Sequence, residues 1–172
     1  FFDSHMNFSF SDVSSCIALA TVKTAFSSHA RAFFVFTSSG VTGRLVSRLR
    51  PNMPILANTN DEKNYHQMAI NWGVIPVLTD KSKSLEEGFK RVEEFALHND
   101  WVDYGDLVLM TAGTPFGFTG TTNLMMLKSI GNVLVRAQEG LGQKVISSIR
   151  MIYPGQDIEN IQGKIVVLQQ CC

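Results

Sequence analysis

Cysteine is scarce. The chain has 172 residues and three cysteines, Cys16, Cys171 and Cys172. An odd count with no zinc-ligand spacing argues against a disulfide framework and points to a reducing compartment. Net charge is missing too: 15 Lys and Arg balance 15 Asp and Glu. That excludes bulk attraction to nucleic acid or to an anionic membrane. It also gives little protection against self-association, so a homo-oligomer is permitted. No apolar run is long enough to cross a bilayer. Residues Phe1 to Phe10 lack the basic-then-apolar order of a signal peptide, and the expected location is cytoplasmic. The four histidines, His5, His29, His66 and His98, are scattered without metal-ligand spacing. There is no Gly-x-Ser-x-Gly elbow, no Gly-Lys-Ser/Thr phosphate loop and no G-x-G-x-x-G. No catalytic residue, no metal ligand and no cofactor is therefore expected in this chain.

What is present is a globular composition, 45% hydrophobic and 17% charged. Ser11-Asp12 can cap a helix that runs from Val13 to Ala25, with Ala18, Val22 and Ala25 on one face. Ala32 to Phe36 is a continuous apolar run, the signature of a strand buried on both faces. The alternation then repeats. A helix is expected from Thr42 to Leu49 and a strand from Pro54 to Ala57. Asn60-Asp61 caps a helix from Glu62 to Trp72, which Gly73 ends. Val74 to Leu78 is a strand, and Pro76 suggests an edge position or a bulge. Ser84 caps a helix with Leu85, Phe89, Val92, Phe95 and Ala96 on its dry side. Asp106 to Thr111 is a fourth strand, and the segment around Leu124 to Leu127 a fifth. Trp72 and Trp101 each follow an apparent helix and are read as anchors for it, with stacking on a ligand as the alternative. Alternating strands and helices give an α/β fold, a three-layer α/β/α sandwich on a mostly parallel sheet of about five strands. This domain is placed at residues 11–130. Residues 131–172 form a linker and an incomplete β-rich extension, with short strands at Val145 to Tyr153 and Lys164 to Gln170.

Two loops at strand exits are the places where such sheets bind ligands. The first, Thr37-Ser38-Ser39-Gly40-Val41-Thr42, offers hydroxyls and backbone N–H groups where a helix begins. Those groups and the helix dipole favour an anion; the plainer reading is an ordinary capped helix start. The second runs from Thr111 to Asn123 through Thr114, Pro115, Gly117, Thr119 and Gly120. Long loops in compact domains are often functional, but a wide connection with self-satisfied hydroxyls reads equally well.

The run Thr37-Ser38-Ser39-Gly40, then Arg48-Leu49-Arg50-Pro51 and Pro54-Ile55, resembles the T-x-S-G…RP…PI run of pyruvate kinase C-terminal domains. Trp72-Gly73-Val74 resembles their W-G-V. Gly105-Asp106-Leu107-Val108, Thr111-Ala112-Gly113 and Gly120-Thr121-Thr122-Asn123 are similar to their G-D-x-V…TAG…G-T-T-N. Pyruvate kinases transfer a phosphoryl group from phosphoenolpyruvate to ADP with magnesium and potassium, on a separate barrel. None of that barrel's catalytic motifs occurs here, so the chain alone is not expected to be an enzyme. The resemblance implies an allosteric, effector-binding and subunit-assembly domain. Its partners would be a phosphorylated effector (a sugar phosphate or nucleotide monophosphate), the barrel of the parent enzyme, and further copies. The effector phosphate maps to Thr37, Ser38, Ser39, Gly40 and Thr42. The closing loop maps to Thr114, Pro115, Gly117, Thr119 and Gly120. Many relatives carry a cation directly after the Ser-Gly, where this chain has Val41; Arg44 and Arg48 are the nearby substitutes. The tail from Arg136 to Lys144, with Gly163 to Val167, resembles the start of an extra domain akin to the swivelling domain of phosphoenolpyruvate-using enzymes.

Overall fold

The computed structural model describes residues 12–114, 122–131, 149–152 and 165–168. The chain divides into two units, Phe1–Leu134 and Val135–Cys172. The first contains helices α1 (Val13–Ser27), α2 (Val41–Arg48), α3 (Glu62–Met68) and α4 (Leu85–His98). Its strands are β1 (Ala32–Phe36), β2 (Ile55–Thr59), β3 (Val74–Leu78), β4 (Leu107–Gly113) and β5 (Thr122–Ser129). They form one sheet in the order β3-β2-β1-β4-β5. β1 pairs in parallel with both β2 and β4, and β2 with β3, while β5 runs antiparallel to β4. The expected α/β sandwich is the fold observed.

Every residue of β1 is buried. Side chains alternate across a strand, so Phe33 and Val35 enter one core while Ala32, Phe34 and Phe36 enter the other. β2 divides likewise, with Ile55 and Ala57 on one side and Leu56 on the other. The first core is closed by Ala18, Val22 and Ala25 of α1, Val46 of α2 and Met68 of α3. The second is closed by Phe89, Val92 and Ala96 of α4. The rings of Phe34 and Phe89 lie 5.4 Å apart in a tilted pair. Sheet faces that are apolar on both sides need helices on both, and that requirement produces the three layers.

Three local expectations are corrected. The third helix stops at Met68, not Trp72. The Asn71 side-chain amide donates to the Met68 carbonyl at 3.2 Å, taking up one of the carbonyls that a helix end leaves open. The second strand starts at Ile55, not Pro54, and extends to Thr59. Trp72 is not a helix anchor: it is 59% exposed, with the Arg50 guanidinium 4.7 Å above its ring. Pro76 does stand on an edge strand, since β3 closes one end of the sheet.

In the second unit β6 (Ile149–Ile152) and β7 (Ile165–Leu168) pair in parallel, Ile149 opposite Ile165. They fall inside the two short strands expected there.

Candidate anion site at the start of the second helix

Phe36 ends β1, and the Thr37 N–H still donates to the Asn58 carbonyl at 3.0 Å, carrying the pairing one residue further. The chain then bends through Ser38 and Ser39 to Gly40, whose φ of +73° lies in the left-handed region. That conformation favours glycine. A Cβ at Gly40 would also stand 3.2 Å from Met68 Cγ and 3.4 Å from an Arg44 guanidinium nitrogen.

Two side chains take up the carbonyls of this bend. Asn64 Nδ2 of α3 donates to the Ser38 carbonyl at 2.6 Å. Arg44 Nη2 of α2 reaches back to the Ser39 carbonyl at 3.4 Å. Val41, where many relatives carry a cation, is 44% exposed, and the Arg44 guanidinium lies against the same bend.

The helix that follows has no side-chain cap. The other three have one: Asp12 accepts from the Ser15 N–H, Asp61 from the Asn64 N–H, and Ser84 from the Glu87 N–H. First-turn N–H groups have no intrahelical acceptor. At α2 they are left to solvent or to a bound anion, with the positive end of the helix dipole behind them.

Thr42, one of the residues mapped to the phosphate, is buried. Its Oγ1 lies 2.5 Å from Thr122 Oγ1 at the start of β5. The Thr122 N–H in turn donates to Ser14 Oγ of α1 at 3.0 Å. Thr37, Ser38, Ser39 and Gly40 form the bend itself. In the second loop, Thr114 sits at the neck. Its N–H and its hydroxyl both donate to Asn123 Oδ1 at 2.8 Å, and Asn123 Nδ2 returns a bond to the Thr114 carbonyl at 3.1 Å. The β4–β5 register shifts at Ala112/Gly113, and Asn123 is the residue left over. A bulge that re-aims a side chain beside a binding loop is a recurrent device. Pro115, Gly117, Thr119 and Gly120 lie outside the described residues.

A cleft of about 70 Å³ opens beside the bend, beyond the carboxyl ends of β1, β2 and β3. Thr37 and Ser38 form one wall; Asn58, Asn60, Asp80 and Ser82 are among the others. Sequence reasoning missed this second wall. The signal available was the polar run that ends β2, Asn58-Thr59-Asn60, at a strand exit. The wall is braced from α4. Arg91 donates to the Asp80 carbonyl at 3.1 Å and pairs with Glu87 at 2.8 Å. Glu87 accepts from the Lys83 N–H at 2.7 Å. That N–H bond, with the nearby Arg91 charge, holds the Glu87 carboxyl below its ordinary range. Asn58 Nδ2 donates to Thr79 Oγ1 at 2.8 Å. Among the described residues no group of three or more His, Cys, Asp or Glu is placed to hold a metal ion. No described helix is long and apolar enough to cross a membrane. The bend brings the backbone N–H groups at the start of α2 together with the residues Thr37, Ser38 and Ser39.

The family model for the pyruvate kinase alpha/beta domain matches residues 15–127, from α1 into β5. This chain belongs to the pyruvate kinase family. It is 39% identical over 155 residues to pyruvate kinase of Lactobacillus delbrueckii subsp. bulgaricus, covering 90% of this chain and 26% of that protein. To the pyruvate kinase of Sporosarcina psychrophila it is 34% identical over 134 residues, 78% of this chain and 23% of the relative. To that of Staphylococcus aureus it is 32% identical over 148 residues, 86% and 25%. The chain spans about a quarter of the length of the curated relatives it matches. The matched segment carries both loop necks and the uncapped start of α2.

Proposed function

We propose that this domain is the effector-binding and assembly part of a pyruvate kinase. A phosphorylated small molecule binds at the start of α2. Phosphoryl transfer from phosphoenolpyruvate to ADP, with magnesium and potassium, belongs to a barrel outside these residues. The observation that carries the reading is the uncapped N-terminus of α2 behind a bend whose carbonyls Asn64 and Arg44 already occupy. What remains facing the ligand is N–H, hydroxyl and one guanidinium. Effector binding then biases two states of the parent enzyme through contacts that differ between them.

Assembly is supported by β5, which among the described residues has a hydrogen-bonded neighbour on one side only. Its Met126 and Leu127 are both 42% exposed. An open apolar edge pairs readily with another chain, here a second copy. A module that assembles without binding an effector is the second reading. It is favoured by the inward turn of the Thr42 hydroxyl. In the second unit, the parallel β6–β7 pair supports an added domain of the swivelling type.

A thermal-shift panel separates the two main readings. It uses fructose bisphosphate, glucose 6-phosphate, ribose 5-phosphate, AMP and inorganic phosphate. A ligand at about 100 times its Kd adds roughly 2.7 kcal/mol to the folded state. A shift with a phosphate ester, abolished by Ser39→Asp, supports effector binding; no shift with any of them leaves the assembly module.

A further inference from the structure

Methionine exposure is uneven along the chain. Met68 and Met110 are buried and Met53 and Met125 half-buried, while Met126 is 42% exposed. Met126 belongs to β5, which among the described residues has a paired strand on one side only. Its cross-strand neighbour on β4 is Met110, which is 2% exposed. Directly opposite residues share a face of the sheet, so Met126 lies on the side of the second core, to which Met110 belongs. Leu124 packs against the same core, and the Lys128 ammonium lies 3.9 Å from the centre of the Phe89 ring. Between those two, Met126 is the exposed residue of this face of β5.

The placement of the helices explains the opening. α1 packs against β4 and β5 on one side of the sheet, whereas α4 lies over β1 and β2 on the other. Any strand that pairs along the open side of β5 sets a side chain about 5 Å from Met126 on this face. Met126 then passes from a partly wet position to a packed one, where a flexible thioether fills the space at the join. Oxidation changes that contact in kind. A sulfur lone pair takes one oxygen from hydrogen peroxide, the O–O bond breaks, and the rest of the peroxide leaves as water. The product, a sulfoxide, is polar where the thioether was apolar. In a single chain, water satisfies the new oxygen. In a joined pair it is buried beside Met110, whose side chain has no donor to offer, and an unpartnered buried acceptor is costly.

We propose that Met126 is an oxidation site that controls assembly: its thioether form lets two copies join along β5, and its sulfoxide form opposes the join. This rests on the assembly reading above and adds to it a chemical switch, with hydrogen peroxide as the oxidant. The buried Met68 and Met110 are screened from that oxidant while the fold is closed. Assembly also protects the site, because joined copies cover Met126. Its oxidation therefore slows as protein concentration rises.

The test is sedimentation of the 172-residue chain over a range of concentrations, before and after limited hydrogen peroxide treatment, with peptide mass spectrometry to locate the added oxygen. Met126 should take up oxygen ahead of Met53 and Met125. Self-association should then weaken about tenfold or more, the effect of one polar group buried without a partner. Methionine sulfoxide reductases should restore it. Met126→Leu should associate like the unaltered chain and stay associated after peroxide, and Met126→Gln should associate weakly without any peroxide. Oxidation at Met126 with unchanged association, or a Met126→Leu chain that still dissociates in peroxide, overturns the switch. If the untreated chain stays monomeric at every concentration, the assembly reading itself fails and the switch falls with it.

Discussion

Thr42 and Thr122 are eighty positions apart, and their hydroxyl oxygens meet at 2.5 Å in the interior. One sits in the first turn of α2 and the other opens β5 after the second loop. Through the Thr122 N–H the pair also reaches Ser14 of α1. The necks of both candidate loops and the first helix of the domain are therefore joined at one residue.

Thr122→Val keeps the shape and removes the hydroxyl, leaving Thr42 Oγ1 buried without its partner. A stability loss of about 1–3 kcal/mol is expected. In the double variant Thr42→Val/Thr122→Val both hydroxyls are gone, and the loss should be smaller than the sum of the two single losses. Urea denaturation of the four proteins in the cycle measures this directly. Strict additivity would show that the two hydroxyls do not interact.

Gly40→Ala places a Cβ where φ is +73° and where Met68 Cγ would stand only 3.2 Å away. The left-handed conformation alone costs roughly 1–2 kcal/mol for a residue with a side chain. The expected outcome is a loss at least that large, read as a lower urea midpoint with an unchanged slope. Gly105, with φ +86° and nothing within 4 Å of its Cβ position, is the comparison. Gly105→Ala should show the conformational cost alone.

Asn64→Leu deletes the donor to the Ser38 carbonyl. It should leave the sheet intact and cost about 1 kcal/mol in stability. Because the bend loses its tether, methyl phosphate affinity should fall about three- to tenfold. Calorimetry against the unaltered chain checks this, and unchanged affinity would remove Asn64 from the site.

The wall of the cleft should respond to acid. Glu87 is held below its ordinary value of 4.5, first by the Lys83 N–H and then by Arg91. A carboxyl depressed in the folded state contributes fully above its unfolded value and loses that contribution as pH falls through the folded one. The Lys83 amide resonance should therefore stay constant from neutral pH down to about 4.5 and move only below it. Glu87→Gln should abolish that acid-dependent movement. A shift centred near neutrality would contradict the assignment.

The sheet was readable because β1 and β2 are apolar on both faces, a pattern that leaves few other solutions. The helix starts at Asp12, Asp61 and Ser84 were readable for the same kind of reason: the capping residue is local in sequence. The helix end at Met68 was not, because it depends on the Asn71 amide folding back rather than on Gly73. Among the site residues, Thr37 to Gly40 follow from a strand exit rich in hydroxyls and glycine. Thr42 looked equivalent in sequence, yet its partner Thr122 comes from the far side of the chain. Asn58, Asp80, Ser82 and Arg91 are brought together by the parallel order of β1, β2 and β3, which no local pattern encodes.

The most direct test of the account follows the backbone amides at the start of α2 by nitrogen–proton NMR while ribose 5-phosphate is added to the 172-residue chain. The account predicts saturable shifts concentrated at Ser39, Gly40, Val41, Thr42 and Gly43, with the capped starts of α1 and α3 unaffected. Saturable binding with no response at those amides, or no binding at all, would contradict it.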